Sequence, residues 1–234
     1  MDLPIFSDNL KSSASWADML AREQEAWAQA LKSNDARERI EARVRDEQVE
    51  QTLRRAERGI DETGLREAAR LVLSWASDPE LKFGVERLLD LHRTVIGAPS
   101  EAGVLRKTEP APINAMHDPT PALLLPRMLD NAFDWFGTES FKDLHPVERA
   151  AVVYLRLLDL HPFPKHTETT ATLAASFYTE REGLPPLVIF ADEANLARYA
   201  NALEAAFRML TQPLVEFFAE TLRRAMRIGL GVER

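Results

Sequence analysis

The sequence predicts an all-α protein interrupted by one small β-hairpin flap. Three observations carry that expectation. Apolar residues recur at helical spacing over most of the chain, as in PVERAAVVYLRLLDL at 146–160. Strong helix formers fill the charged stretches between them. Short β-capable pieces lie around Val104-Leu105 and Ile113, in a segment rich in proline.

Composition bounds what such a chain can do. With 234 residues, 45% of them hydrophobic and 28% charged, it is globular and long enough for one core plus an appended arm. It has no cysteine, which excludes disulfides, thiolate metal sites and cysteine nucleophiles. The net charge of −8 disfavours non-specific binding to nucleic acid, which needs a basic face. The opening MDLPIFSDNLKSS lacks the basic flank and apolar centre of a signal peptide. No apolar run reaches the roughly 18 residues of a membrane span. A cytoplasmic location without membrane or nucleic-acid partners is the default expectation.

The elements follow in order. Residues 18–31, DMLAREQEAWAQAL, are strong helix formers. Residues 35–58 carry a narrow apolar stripe of Ile40, Val44, Val49, Leu53 and Ala56 on a charged rod, so this helix docks by one edge. Gly59 and Gly64 punctuate it. A helix over 65–76 follows. Asp78 and Pro79 read as N-cap and first residue of the next, which runs to Gly97. Residues 98–119 hold four prolines and are expected to form a long loop with a small hairpin somewhere in 103–116. Helices are then predicted over 122–136, 146–160, 167–181, 193–210 and 213–228. The run at 146–160 is apolar on most sides and should be central. The chain divides into a helical arm, 1–64, and a core domain, 65–234.

The stretch LHPFPKHTETTAT, 160–172, carries a family resemblance. A buried helix ends in His-Pro-Phe, a loop follows, then a second buried helix, then GLPPLVI at 183–189. His145-Pro146 lies 16 residues upstream, and Gly103-Val104-Leu105-Arg106 precedes the proline-rich loop. This order resembles the Fic (filamentation induced by cAMP) domain, whose motif is HPFx[D/E]GNGRxxR, over roughly residues 80–220. The resemblance implies transfer of AMP from ATP to a protein hydroxyl. It implies a histidine general base, an acidic residue on Mg²⁺, a glycine-lined anion hole at a helix N-terminus and two phosphate-binding arginines.

Position by position, His161, Pro162 and Phe163 match. The acidic position is Lys165, and Gly-Asn-Gly becomes His166-Thr167-Glu168. The arginine positions are Thr169 and Thr172. The ATP and Mg²⁺ of active relatives are therefore expected to be lost, with no metal site and with His161 as the surviving catalytic side chain. A side chain at a positive-φ glycine costs about 1–2 kcal/mol, so the loop is expected to take a different path. Many Fic proteins also carry an inhibitory [S/T]xxxE[G/N] helix whose glutamate pairs with the motif's last arginine. The nearest candidate is TLRRAERG, 52–59, where Glu57 falls one residue late, Arg58 stands where glycine or asparagine is expected, and the arginine partner is Thr172.

Simpler readings stand beside these. His161 suits a helix C-cap. Lys165 and His166 fit a solvated loop, or, with Thr167, a rebuilt anion site in which Lys165 is a point charge. Glu168 suits a first helical turn in any case. His92, His117 and His145 have no partners at metal-ligand spacing and read as structural or exposed. Three functions compete: a non-catalytic Fic-like module that binds or regulates a protein partner, a transferase with a rebuilt phosphate site, and a plain helical interaction protein. Self-association is compatible with all three.

Overall fold

The computed structural model describes residues 14–55, 60–96 and 101–233. Ten α-helices are found among these residues: α1 (Ala14–Ala30), α2 (Asn34–Arg55), α3 (Glu62–Ser77), α4 (Val85–Ile96), α5 (Leu125–Phe136), α6 (Glu139–Lys142), α7 (Pro146–Leu160), α8 (Thr167–Glu180), α9 (Glu193–Phe207) and α10 (Gln212–Leu230). Ala56, Glu57, Arg58, Gly59, Gly97 and Pro99, which carried expectations above, lie outside the described residues.

The centre is the pair α7 and α8, joined by the short motif loop. In α8 every residue from Thr169 to Thr179 is buried, which fits the lack of a polar face in its sequence. α7 is entered through a capping box. The His145 side chain accepts from Val147 N–H at 3.2 Å, and the Glu148 carboxylate accepts from His145 N–H at 2.8 Å. Helices α3 and α4 cover α8, α5 leans on α7, and α9 and α10 pack on each other and on α7. α1 and α2 pack against α10, and α2 also meets α3. Trp16, Leu20, Trp27, Ile40, Val44 and Val49 are buried in the same apolar cluster as the residues of α7 and α8.

Three expectations about elements are corrected. Asp78 does not open a helix. It is the C-cap of α3, and its carboxylate accepts from Glu80 N–H at 3.0 Å in a tight turn. The chain then stays irregular to Gly84, which lets Phe83 reach the ring cluster of Trp75, Phe133, Phe177 and Tyr178. α3 itself starts earlier, with Asp61 as N-cap accepting from Gly64 N–H at 3.1 Å.

The hairpin at 103–116 is also absent: no strand occurs among the described residues. Pro110 and Pro112 remove two donors. Other backbone groups there are bonded to side chains rather than to a facing strand. Ile113 N–H donates to His117, Met116 N–H to Asn114, and the Thr108 carbonyl accepts from Arg106. The third correction concerns α9, which stops at Phe207 instead of 210. Met209 takes a left-handed conformation (φ 67°), with Leu210 N–H on Ala205 O at 3.0 Å and Met209 N–H on Ala206 O at 2.9 Å.

That pair of bonds is a Schellman cap with methionine in the glycine position. Met209 is half-exposed, so little burial opposes relief of the left-handed strain. Met209→Gly is therefore expected to stabilise the fold by about 0.5–1 kcal/mol, read as a Tm rise of about 1–4 °C. A lower Tm in thermal denaturation would refute this account of the cap.

Candidate functional site

The C-terminus of α7, the loop 161–166 and the first turn of α8 meet the segment 101–120. His161 caps α7. Its N–H reaches Leu157 O at 3.0 Å, and its backbone is left-handed at φ 44°, ψ 61°. The residue is partly exposed. Phe163 is fully buried. Phe163 and Thr167 close the loop, Phe163 N–H donating to the Thr167 hydroxyl at 3.3 Å.

His166 holds a left-handed conformation, at φ 58°, and it is buried, which corrects the solvated-loop reading. The Cβ cost is borne by the fold instead of avoided, about 1–2 kcal/mol. Lys165 stays exposed and pairs with Glu101 at 3.3 Å. A divalent ion at this position would meet an ammonium in place of an oxygen ligand, so these residues do not fit Mg²⁺.

Thr167, Thr169, Thr170 and Thr172 are all buried. The Thr170 hydroxyl donates to His166 O and the Thr172 hydroxyl to Glu168 O, each at 2.9 Å. These two side chains are spent on their own helix, as threonines in a helix interior often are.

Glu168 is the residue that sequence reasoning read only in part. It sits in the first turn of α8, where a carboxylate suits the helix dipole. Its carboxylate also accepts from Arg55, at the end of α2 and 113 residues away in sequence. The Arg55 side chain is 9% exposed and that of Glu168 45%. The C-terminal end of α2 thus reaches the first turn of α8, with the cation on α2 and the anion on α8. Beside this pair, the Tyr154 and Tyr199 hydroxyls meet at 2.6 Å. Burial, and then the Glu168 carboxylate, hold both phenols well above their usual range.

Arg106 ties segment 101–120 to the loop. Its backbone N–H donates to Pro162 O at 2.9 Å. Its buried guanidinium donates to His161 O at 2.6 Å, Leu160 O at 3.2 Å and the Thr120 carbonyl. A fixed cation on the last carbonyls of α7 satisfies groups the helix leaves open. Gly103, three residues earlier, has φ 70°, and a Cβ there would lie 2.9 Å from Leu89 O. Only glycine fits that turn.

Known proteins share this architecture. Residues 82–179 match the Fic/DOC family. The chain is 30% identical over 167 residues to protein adenylyltransferase Fic of Nematostella vectensis, covering 70% of this chain and 38% of that protein. The chain carries a Fic domain. It is also 29% identical over 152 residues to protein adenylyltransferase fic-1 of Caenorhabditis briggsae, covering 64% of this chain and 29% of that protein. The Fic-domain chain thus spans under two fifths of the length of either curated relative. Among solved structures, a Fic-1 structure from C. elegans superposes with TM-score 0.76 at 22% identity, covering 92% of this chain and 71% of that one. The structure of IbpAFic2 covalently tethered to Cdc42 gives 0.58 at 16% identity, over 79% of this chain and 62% of that one. At these identities the structural likeness shows the Fic fold alone. That fold is all-helical here, without the expected flap hairpin.

Proposed function

We propose that this Fic-domain protein, related to protein adenylyltransferases, has a degenerate site and acts as a binding or regulatory module that does not transfer AMP from Mg-ATP. The observation that carries the reading is the Arg55–Glu168 pair across the first turn of α8. A carboxylate already occupies the helix end that a phosphate would need, and it is held there by its own cation. Thr169 and Thr172, at the arginine positions, supply no charge to compete with it. The partner in this reading is a protein, by analogy with the structure of IbpAFic2 tethered to Cdc42. Residues 1–64 are its regulatory arm, 65–234 its Fic-like domain, and the cytoplasm its location. Among the described residues no helix is long and apolar enough to cross a membrane.

The test is Mg-ATP labelling in cell lysate, read by radiolabel or mass shift. No adduct is expected that depends on His161. An adduct abolished by His161→Ala would overturn the proposal. It would favour the second reading, a transferase with His161 as general base and Lys165, His166 and Thr167 as a rebuilt phosphate site. Partial exposure of His161 beside segment 101–120 is the observation that favours that reading.

A further inference from the structure

Two histidines outside the Fic motif hold segment 101–120 against the motif: His92 from α4 and His117 from within the segment itself. We infer that His92 and His117 are positioning residues that make these two segments move as one body. Each ring accepts a backbone N–H of the segment at Nδ1 and gives its Nε2–H to a backbone carbonyl in the motif loop or just before it. For His92 the partners are Gly103 N–H at 3.0 Å and Lys165 O at 3.1 Å. For His117 they are Ile113 N–H at 3.0 Å and Asp159 O at 3.0 Å.

The chemistry is restrictive. A ring that accepts at Nδ1 and donates at Nε2 must be neutral and in one tautomer. Both residues are buried, which limits competition from water for the four bonds. His92 is further fixed by stacking on Phe163, with centroids 3.7 Å apart and planes 4° from parallel. Burial lowers its pKa to about 4. His117 lies 5.0 Å from the Phe207 ring and 6.5 Å from the ring of His161. The two accepting carbonyls, Asp159 and Lys165, bracket His161. The two donating amides, Gly103 and Ile113, bracket Arg106, which makes the third tie. A displacement of segment 101–120 must therefore break the bonds of Gly103 to His92, of His117 to Asp159 and of Arg106 to the loop, or carry the loop with it. The inference holds whether the site binds a partner or transfers a group.

Asparagine and glutamine separate the two bonds of one ring. His92→Asn retains an acceptor near Nδ1 for Gly103 and cannot reach Lys165 O. His92→Gln retains a donor near Nε2 for Lys165 O and leaves Gly103 N–H without its acceptor. The measurement is amide hydrogen exchange by NMR on the full chain. In both variants the amides of Gly103, Ile113 and Phe163 are expected to exchange at least tenfold faster, while those of α9 and α10 change less than twofold. Faster exchange at Gly103 in His92→Asn is the decisive result, because that bond is retained. If Asn loosens only the loop and Gln only Gly103, the ties are independent and the inference fails. Uniform acceleration through α9 and α10 would also overturn it, since His92 would then be an ordinary core residue. His117→Asn and His117→Gln repeat the test from the other end should either His92 variant fold poorly.

Discussion

Replacing residues 165–172, KHTETTAT, with DGNGRTGR and Arg55 with Ala should give micromolar binding of Mg-ATP in a protein proposed to bind none. The scaffold is in place. α8 begins at Thr167, and its first N–H groups are those a helix leaves open. His166 already holds φ 58°, so glycine there relieves strain without asking for a new backbone path. Removing Glu168 frees the helix end of a negative charge. Arginine at 169 and 172 adds two charged contacts, each contributing about 1.5–3 kcal/mol. Together with the Mg²⁺ contact of the aspartate that replaces Lys165, these approach the roughly 8 kcal/mol of a micromolar site.

Arg55 must change with the graft. Without Glu168 it becomes an unpaired cation, 9% exposed, facing an arginine at position 172 one turn along the same face of α8. The graft that keeps Arg55 is expected to bind at least tenfold more weakly. Titration calorimetry on both variants decides. A folded double variant that binds no ATP at millimolar concentration would mean that more than the loop has diverged.

How much of this could be read from sequence depended on how local the cause was. α7 was legible because its start, His145-Pro146, its end, His161-Pro162, and its apolar run are all contiguous. The His-Pro-Phe turn that ends α7 was legible for the same reason. The hairpin failed because β propensity at Val104-Leu105 and Ile113 was overruled by bonds to Arg106, His92 and His117. Of these, His92 also bonds to Lys165, 73 residues away. Asp78-Pro79 has the composition of a helix start, but the burial of Phe83 required an irregular stretch before α4. Met209 could not be foreseen as a helix stop, since a residue with a Cβ rarely takes positive φ. The Arg55–Glu168 pair leaves no local trace at all. In sequence, Arg55 is one arginine among several on a charged rod, and only the approach of α2 to α8 makes it part of the site.

The same approach predicts the largest loss of stability. Arg45, on α2, donates to Glu180, at the end of α8, at 2.9 Å, and to Ala69 O on α3 at 3.0 Å. The side chains are 13% and 3% exposed. Burial raises the Glu180 pKa, and Arg45 offsets only part of that. Arg45→Met removes the cation and keeps most of the volume, so Glu180 is left buried and charged, at an expected cost of about 3–5 kcal/mol near pH 8.

The carboxylate can escape by protonating, and this fixes the sign of the pH dependence. A carboxyl whose folded pKa lies above its unfolded value favours folding below the unfolded value and loses that contribution as pH rises through the folded one. The deficit of Arg45→Met should therefore shrink as pH falls from 8 towards 5, by up to about 1.4 kcal/mol per unit where Glu180 titrates. Urea denaturation at the two pH values measures it. Adding Glu180→Leu should recover most of the loss, because a buried pair replaced by apolar side chains of similar size is often neutral. A deficit below about 1 kcal/mol with no pH dependence would mean that α2 is loosely held in solution. The arm would then be a separable appendage rather than a wall of the α8 site, and the Arg55–Glu168 pair would lose the rigid helix on which it depends.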